Sequence, residues 1–179
     1  MTSPTPDCGK TVTALNLSLS VARQQDGPVA LVDLDFRKPE VASCLGLKSR
    51  VSTVPDLLEG RTTFRNAIVF ARAGNQRLWV LPSRPTKGSS ELMSSAAMQD
   101  LLQSLKRECR IAVLDLPPVL SSDDVMCILP HIDCFLLVAA VGLTKTKEVE
   151  ESMRHLDPSK LVRLIVNKDT AARPKYYYY

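Results

Sequence analysis

A chain of 179 residues, 45% hydrophobic and 23% charged, has the composition of one globular domain with a substantial core, which excludes an extensively disordered protein. Its formal charge of +4 is small and its basic residues are dispersed, so nucleic-acid binding is not indicated. The longest strongly apolar run, Cys134 to Val141, is far shorter than the roughly 20 residues of a membrane-spanning helix.

The five cysteines contain no CxxC pair, and only two histidines could join them as metal ligands. This pattern disfavours both a zinc site and a disulfide framework, and it is typical of reduced thiols. The first residues also lack the apolar core of a signal peptide. The sequence therefore predicts a cytoplasmic protein.

Short apolar runs alternate with helical patterns along the chain. Apolar residues recur at helical spacing from Val12 to Ala22 and from Ala97 to Leu105, and a charged surface helix is predicted from Thr144 to Leu156. Continuous apolar strands between helices predict an α/β fold, with a mostly parallel sheet flanked by helices on both faces. We expect a single domain over residues 1–170 and a flexible tyrosine-rich tail over 171–179. Strands are predicted at 29–33, 78–81, 111–115, 134–140 and 161–166.

The segment TPDCGKT, Thr5 to Thr11, leads directly into the first predicted helix. A phosphate loop needs a glycine, a lysine for the β/γ-phosphates and a hydroxyl for Mg²⁺ at a helix N-terminus, and Gly9, Lys10 and Thr11 supply them. Pro4 stands where the first glycine of the motif is expected, so the segment alone could also be a turn that caps a helix. As a phosphate loop it would contact the nucleotide through Pro6, Asp7, Cys8, Gly9, Lys10, Thr11 and Val12.

Carboxylates end two of the predicted strands. Asp33 ends the strand at 29–33, and alternation would place Asp35 on the same side of the chain. Asp115 ends the strand at 111–115 before a Pro-Pro pair, as expected of a Walker-B-type aspartate that holds a metal. The Asp-x-Asp pair alone could be a surface accident. Because the carboxyl ends of parallel strands face a common crevice, the acids and the loop together predict a Mg²⁺-nucleotide site.

The motif order TSPTPDCGKT, VDLDFRKP, VLDLPPVLSSDD and a final tyrosine cluster resembles the bacterial tyrosine kinases of capsule and exopolysaccharide loci, relatives of the MinD/ParA proteins. The resemblance covers nearly the whole chain. It implies a catalytic set of Lys10, Asp33, Asp35 and Asp115, with Mg²⁺ held by Thr11, Asp33 and Asp115.

Two further positions are implied by the resemblance. Asp124, or Asp123 beside it, matches another acidic position of the family. Asn167 matches an asparagine that reads adenine, a base whose edge a carboxamide can pair with bidentately. Asn167 could instead cap the last strand.

The implied activity is an ATP- and Mg²⁺-dependent tyrosine autokinase that regulates polysaccharide synthesis or export. Asp33 or Asp35 would take the proton of the acceptor hydroxyl, whose reference pKa is about 10. The acceptors would be Tyr176, Tyr177, Tyr178 and Tyr179, reaching a neighbouring protomer in trans. A membrane-anchored activator would be a separate chain that could hold this one at the inner membrane, and no nucleic-acid partner is expected.

Three departures from the family pattern bear on activity. The apolar strand before the phosphate loop is missing, so we expect the sheet to lack a central strand. Asp7 stands where the family usually has glycine and Cys8 where it often has glutamate or alanine, which places an anion near the phosphates unless Asp7 turns outward or protonates. The upstream arginine-rich helix has no counterpart here.

Two alternatives follow from the same residues. A MinD/ParA-like ATPase switch would explain the nucleotide site, although it gives no reason for four terminal tyrosines and its loop usually carries an extra lysine. A degenerate scaffold that has lost ATP binding would explain the unusual opening of the chain.

Overall fold

The computed structural model describes residues 1–24, 26–47, 50–73 and 75–170, so the predicted tail over 171–179 lies outside the described residues. Among the described helices, none is both long and apolar enough to cross a membrane. The helices are α1 (Lys10–Gln24), α2 (Val41–Cys44), α3 (Val54–Leu58), α4 (Phe64–Ala67), α5 (Ser89–Met93), α6 (Ala96–Glu108) and α7 (Thr146–His155), with 3-10 turns at Asp123–Cys127 and Leu129–His131. The strands are β1 (Val29–Asp33), β2 (Val69–Ala73), β3 (Gln76–Leu81), β4 (Ile111–Asp115), β5 (Cys134–Ala140) and β6 (Leu161–Asn167).

The strands form one sheet of order β2-β3-β1-β4 and a second of order β5-β6. β1 is parallel to β3 and β4, β5 is parallel to β6, and only β2 runs antiparallel to its neighbour. The predicted α/β class and all five predicted strands are confirmed. β2 is an additional strand that the sequence analysis did not predict.

Apolar cores cover both faces of the central strand β1, as a continuous run of buried residues requires. Ala30 and Val32 belong to the core that includes α6, whereas Val29 and Leu31 belong to the core that includes α1. Every residue of β1 is buried. The functional side chains at the carboxyl end of β1 therefore rest on a rigid support.

The first three residues lie between β4 and β5 and link the two sheets. Thr2 donates its N–H to the carbonyl of Leu136 at 3.0 Å and accepts from the N–H of Val138 at 2.8 Å. On the other side, Leu116 donates to the carbonyl of Met1 at 2.9 Å. The expectation that the sheet lacks a central strand is confirmed, because β4 and β5 belong to separate sheets and the residues between them form only an isolated bridge, from Thr2 to Leu137.

Candidate functional site

The N-terminus of α1 meets the carboxyl ends of β1 and β4 at one buried cluster. Asp33 and Asp115 are register partners on these neighbouring parallel strands. The Lys10 ammonium lies 2.9 Å from Oδ2 of Asp35 and 3.6 Å from Oδ1 of Asp115. It also donates to Oγ1 of Thr11 at 3.3 Å. The structure thus brings together the lysine, the hydroxyl and the strand-end carboxylates that the sequence analysis selected.

The two aspartates after β1 have different surroundings. Asp33 is fully buried and accepts backbone N–H bonds from Asp35 at 3.2 Å and from Val41 at 3.1 Å. Asp35 uses one oxygen for the Lys10 ammonium and the other for the N–H of Lys38. The sequence analysis assumed that side chains alternate from Asp33 to Asp35 as in a strand, but β1 ends at Asp33. The two carboxylates therefore have different partners, although both belong to the same site.

Charge and burial oppose one another in this cluster. Burial acts to lower the pKa of Lys10, but the charges of Asp115 and Asp35 raise this pKa overall, so the side chain stays protonated. Burial, reinforced by the charge of Asp115, raises the pKa of Asp33 to about 8. Burial also raises the pKa of Asp115. Extra positive charge would therefore be stabilised here.

Asp115 provides the clearest sign of a missing partner. Both of its carboxylate oxygens are buried, and neither accepts a well-formed hydrogen bond from the described residues, although the Thr11 hydroxyl and the Lys10 ammonium are its neighbours. A buried carboxylate with such weak partners is costly, and a hard cation with oxygen ligands would compensate for it. Within the described ranges, no group of three or more carboxylate, imidazole or thiol side chains could hold a metal ion. A Mg²⁺ ion beside Asp115 would therefore have to take most of its ligands from phosphate and water.

The phosphate loop has two residues in the left-handed region, Asp7 at φ +62° and Gly9 at φ +86°. Asp7 is two-thirds exposed, and its carboxylate lies 2.8 Å from the ammonium of Lys38. This is the outward orientation that removes the expected clash between Asp7 and the phosphates. Cys8 is buried and donates its thiol to the carbonyl of Thr5, whereas Pro6 and Val12 are exposed.

The end of β6 holds the loop from the other side. Asn167 donates its amide Nδ2 to the carbonyl of Cys8 at 2.9 Å, and Lys168 donates to the carbonyl of Asp7 at 2.6 Å. A Cβ on Gly9 would lie 2.3 Å from the same Nδ2. Asn167 is therefore a loop contact as well as the predicted adenine reader. The sequence analysis missed Lys168, whose only sequence signal is its place beside Asn167.

Asp124, not Asp123, is the buried member of the acidic pair. Its carboxylate accepts hydrogen bonds from the hydroxyls of Ser89, at 2.8 Å, and Ser90, and from Nε of Arg37 at 3.1 Å. These contacts join the segment after β1 to α5. The sequence analysis singled out none of the three donors, because they are distant from Asp124 in sequence. The four predicted acceptor tyrosines lie outside the described residues.

Comparison with known proteins gives close relatives, although no family model matches the chain. It is 32% identical over 184 residues to the tyrosine-protein kinase YwqD of Bacillus subtilis (strain 168), covering 100% of this chain and 76% of that protein. It is 29% identical to the tyrosine-protein kinase etk of Escherichia coli (strain K12), covering 88% of this chain. It is 28% identical to the succinoglycan biosynthesis transport protein ExoP of Rhizobium meliloti (strain 1021), covering 93% of this chain. The chain spans only 21% of the length of the latter two.

Solved structures agree with these relatives. The VpsO kinase domain superposes with a TM-score of 0.85 at 28% identity, covering 94% of this chain and 83% of that domain. Cobyrinic acid a,c-diamide synthase from Mycobacterium smegmatis, solved with an ATP analog and magnesium, superposes with a TM-score of 0.74 at 18% identity, covering 93% and 75%. At 18% identity, the similarity to cobyrinic acid a,c-diamide synthase shows a shared fold and nothing about function.

Proposed function

The chain belongs to the bacterial tyrosine-protein kinases, and from this premise we propose that it transfers the γ-phosphoryl group of ATP, with Mg²⁺, to tyrosines at its own C-terminus. The observation that carries the proposal is the cluster at the ends of β1 and β4. Lys10 lies within ion-pair distance of Asp35 and Asp115, and the oxygens of Asp115 accept no well-formed hydrogen bond from the described residues. Such a cluster supplies the positioning and charge neutralisation that phosphoryl transfer mainly requires.

Nucleotide binding would use the loop and its supports. The loop amides and Lys10 would hold the phosphates, and Asn167 would pair with adenine. Thr11, Asp33 and Asp115 would hold the Mg²⁺ ion, directly or through water. When bound, Mg²⁺ would neutralise charge on the phosphate oxygens. Lys10 would have to exchange its contact with Asp35 for one with phosphate.

The acceptor step needs a base. As the tyrosine oxygen forms its bond to phosphorus, the bond from phosphorus to the ADP oxygen breaks, and the phenolic proton passes to a carboxylate. Asp33 is fully buried and bonded to two backbone N–H groups, whereas Asp35 contacts the ammonium that would move to the phosphates when nucleotide binds. These contacts favour Asp35 as the base and Asp33 as a metal ligand.

The acceptors would be Tyr176, Tyr177, Tyr178 and Tyr179 of a neighbouring protomer. Each phosphate adds about −1.5 to −2 charge at neutral pH, so a phosphorylated tail would be repelled by an acidic site. We propose a regulatory role in exopolysaccharide synthesis or export, which the likeness to a succinoglycan biosynthesis transport protein supports. The protein would act in the cytoplasm, held peripherally at the inner membrane by a separate membrane-anchored activator.

Incubation with labelled ATP, with and without Mg²⁺, followed by phosphopeptide mapping, tests the activity. Mg²⁺-dependent phosphotyrosine in the C-terminal peptide supports the kinase. Release of free phosphate without labelled protein would instead indicate a nucleotide switch, and no turnover would indicate a scaffold.

A mixing experiment tests transfer in trans. Inactive Lys10→Met chains with a mass tag are incubated with untagged active chains, and Lys147→Met, which alters an exposed lysine of α7, is the matched control. Label on the tagged Lys10→Met chain is the expected result. Label confined to the untagged chain would contradict transfer between protomers.

A further inference from the structure

Two arginines face each other at the outer edge of the larger sheet. Arg72 of β2 and Arg77 of β3 are register partners in an antiparallel pair, and both are exposed. Side chains directly opposite in such a pair are about 5 Å apart at Cβ, where two like charges destabilise the pairing. Because β2 is the last strand in the order β2-β3-β1-β4, this repulsion lies at a surface that a partner can reach.

The two arginines are not neutralised by a carboxylate in the part of the chain that the structure describes. Arg77 instead contacts an aromatic ring, since its guanidinium lies 5.6 Å from the centroid of Phe70. Phe70 remains 56% exposed although it forms a T-shaped pair with Trp79. It precedes Arg72 by two residues, so both side chains lie on the same face of β2. Opposed cations therefore adjoin an exposed aromatic ring.

The positive charge continues from this hairpin toward the end of α6. Phe64 of α4 contacts Trp79, with ring centroids 6.5 Å apart, so α4 lies beside β3. The next residue, Arg65, has a side chain that is 80% exposed and lies 3.2 Å from Oε2 of Glu108. The exposed Arg107 lies 3.7 Å from Oε1 of the same carboxylate. One carboxylate is thus shared by two arginines, and positive charge remains in excess.

These contacts define one continuous surface. We define the basic edge as five exposed residues of α4, β2, β3 and α6, namely Arg65, Phe70, Arg72, Arg77 and Arg107. The last turn of a helix favours basic residues, which gives Arg107 a structural reason to be there. No such reason applies to the opposed arginines of the hairpin, whose repulsion a bound anion would relieve.

We propose that the basic edge binds the surface of a bilayer that contains anionic phospholipids, independently of the proposed kinase activity. The arginines would contact lipid phosphates, with which a guanidinium forms paired hydrogen bonds. Phe70 would enter the region between headgroups and acyl chains, where aromatic rings are favoured.

The arrangement of the charges favours lipid over an acidic peptide. The four arginines belong to four separate elements, so they are spread along a surface instead of converging on one point. Separate lipid headgroups can each meet one of them. Acidic side chains could also pair with the arginines, but a highly charged peptide gives Phe70 no apolar region to enter.

The position of the basic edge leaves the nucleotide site accessible. Arg77 precedes Leu78, the register partner of Val29 at the beginning of β1, whereas the Lys10 cluster lies at the carboxyl end of β1. A chain attached by this edge would keep the two ends of the sheet at different distances from the bilayer. Each basic residue near an anionic surface strengthens binding only about fivefold, so this contact would act together with the proposed membrane-anchored activator.

Flotation with lipid vesicles tests the proposal. Vesicles of phosphatidylcholine with about 40% phosphatidylglycerol are compared with vesicles of phosphatidylcholine alone, at about 50 mM salt, where charge attraction is weakly screened. We expect the starting chain to bind the anionic vesicles at least about tenfold more tightly than the neutral ones. Equal binding to both vesicle types, or binding to neither, would overturn the proposal.

The variant Arg72→Glu tests the surface itself and should leave the fold intact. It turns repulsion across the strands into attraction, so unfolding should need the same urea concentration or a higher one. Binding to anionic vesicles should fall at least about tenfold. Lys147→Glu makes the same change of net charge at an exposed site of α7 and should lower binding less than about threefold. Equal losses in the two variants would overturn the assignment to the basic edge.

The variant Phe70→Ser and a soluble poly-glutamate peptide distinguish lipid from an acidic protein partner. Removing the exposed ring should weaken binding to anionic vesicles at least about threefold. The starting chain should bind poly-glutamate at least about tenfold more weakly than it binds the vesicles, because the peptide offers charge alone. Equally tight binding of peptide and vesicles, with no effect of Phe70→Ser on either, would overturn the lipid assignment and indicate an acidic protein.

Discussion

The ammonium of Lys10 lies 2.9 Å from Oδ2 of Asp35, with both side chains buried, so the residue expected to bind phosphate is held by an acid of its own site. Nucleotide must displace this contact, and the carboxylate must then remain close to the phosphates. The contact therefore stabilises the nucleotide-free cluster and opposes nucleotide binding. In the proposed mechanism, Asp35 would then be the carboxylate that takes the proton of the acceptor hydroxyl.

Asp35→Asn should separate these two effects. Removing the negative charge frees Lys10 and reduces repulsion, so we expect metal-free ADP to bind at least about threefold more tightly by calorimetry in the presence of a chelator. Loss of the proposed base should lower autophosphorylation by about 100-fold or more. Asp100→Asn, an exposed change on α6, serves as the control. Weaker ADP binding together with unchanged phosphorylation would contradict both roles.

Substitutions of Asp7 test whether its carboxylate faces outward. Asp7 has φ +62°, a conformation that glycine adopts freely and alanine does not. Asp7→Gly should unfold at the same urea concentration as the starting chain or a higher one, and Asp7→Ala at a lower one. Because the carboxylate pairs with Lys38, Asp7→Asn should change ATP affinity by less than about twofold at physiological salt. A tenfold gain in affinity would place the carboxylate against the phosphates.

Gly9 and Asn167 should be energetically coupled. Gly9→Ala combines a positive φ with a Cβ at 2.3 Å from Nδ2 of Asn167, which must then leave the carbonyl of Cys8. We expect a loss of about 2 kcal/mol of unfolding free energy for Gly9→Ala and about 1 kcal/mol for Asn167→Ala. The double variant should lose less than the sum, since the clash and the hydrogen bond disappear together. Strict additivity in urea titrations would argue against this contact.

The pKa of Asp33 leads to a pH dependence of metal binding. In the folded chain the pKa of Asp33 is raised from 3.8 to about 8, so the folded chain binds this proton more tightly than the unfolded chain does. Proton binding to Asp33 therefore favours the folded state at low pH, and this stabilisation is lost as the pH rises from about 3.8 toward 8. Mg²⁺ needs the ionised carboxylate, so Mg²⁺-nucleotide binding should release close to one proton at pH 7 and almost none above about pH 9.5. Calorimetry in buffers of different ionisation enthalpy measures the release. Equal heats in all buffers at pH 7 would exclude Asp33 as a ligand.

The parts of the fold that follow from continuous apolar runs could be predicted, and the irregular parts could not. β2 was missed because it is a short antiparallel edge strand with Phe70 exposed, so its sequence lacks a buried apolar run. Its stabilising contact is a T-shaped pair of Phe70 and Trp79 across the strands, with ring centroids 6.3 Å apart. Such a contact depends on pairing that the local sequence does not encode.

The same distinction holds at the site. Lys10 and Asp115 could be found because Lys10 begins α1 and Asp115 ends β4, so the end of a regular element fixes the direction of each side chain. The link from Asn167 to Cys8 joins residues that are distant in sequence, and only the closed sheet brings them together. Likewise, two residues are too few for a strand to be predicted at Met1 and Thr2. Hydrogen-bonding partners for both come from residues of β5 and from Leu116, which follows β4.

Quantitative phosphotyrosine analysis of the Lys10→Met chain is the most direct test that the cluster at the ends of β1 and β4 is the catalytic centre. After incubation with ATP and Mg²⁺, the starting chain and Lys147→Met should carry phosphate on Tyr176 to Tyr179, and Lys10→Met alone should carry at least about 100-fold less. Equal phosphorylation of Lys10→Met, incubated by itself, would contradict the account.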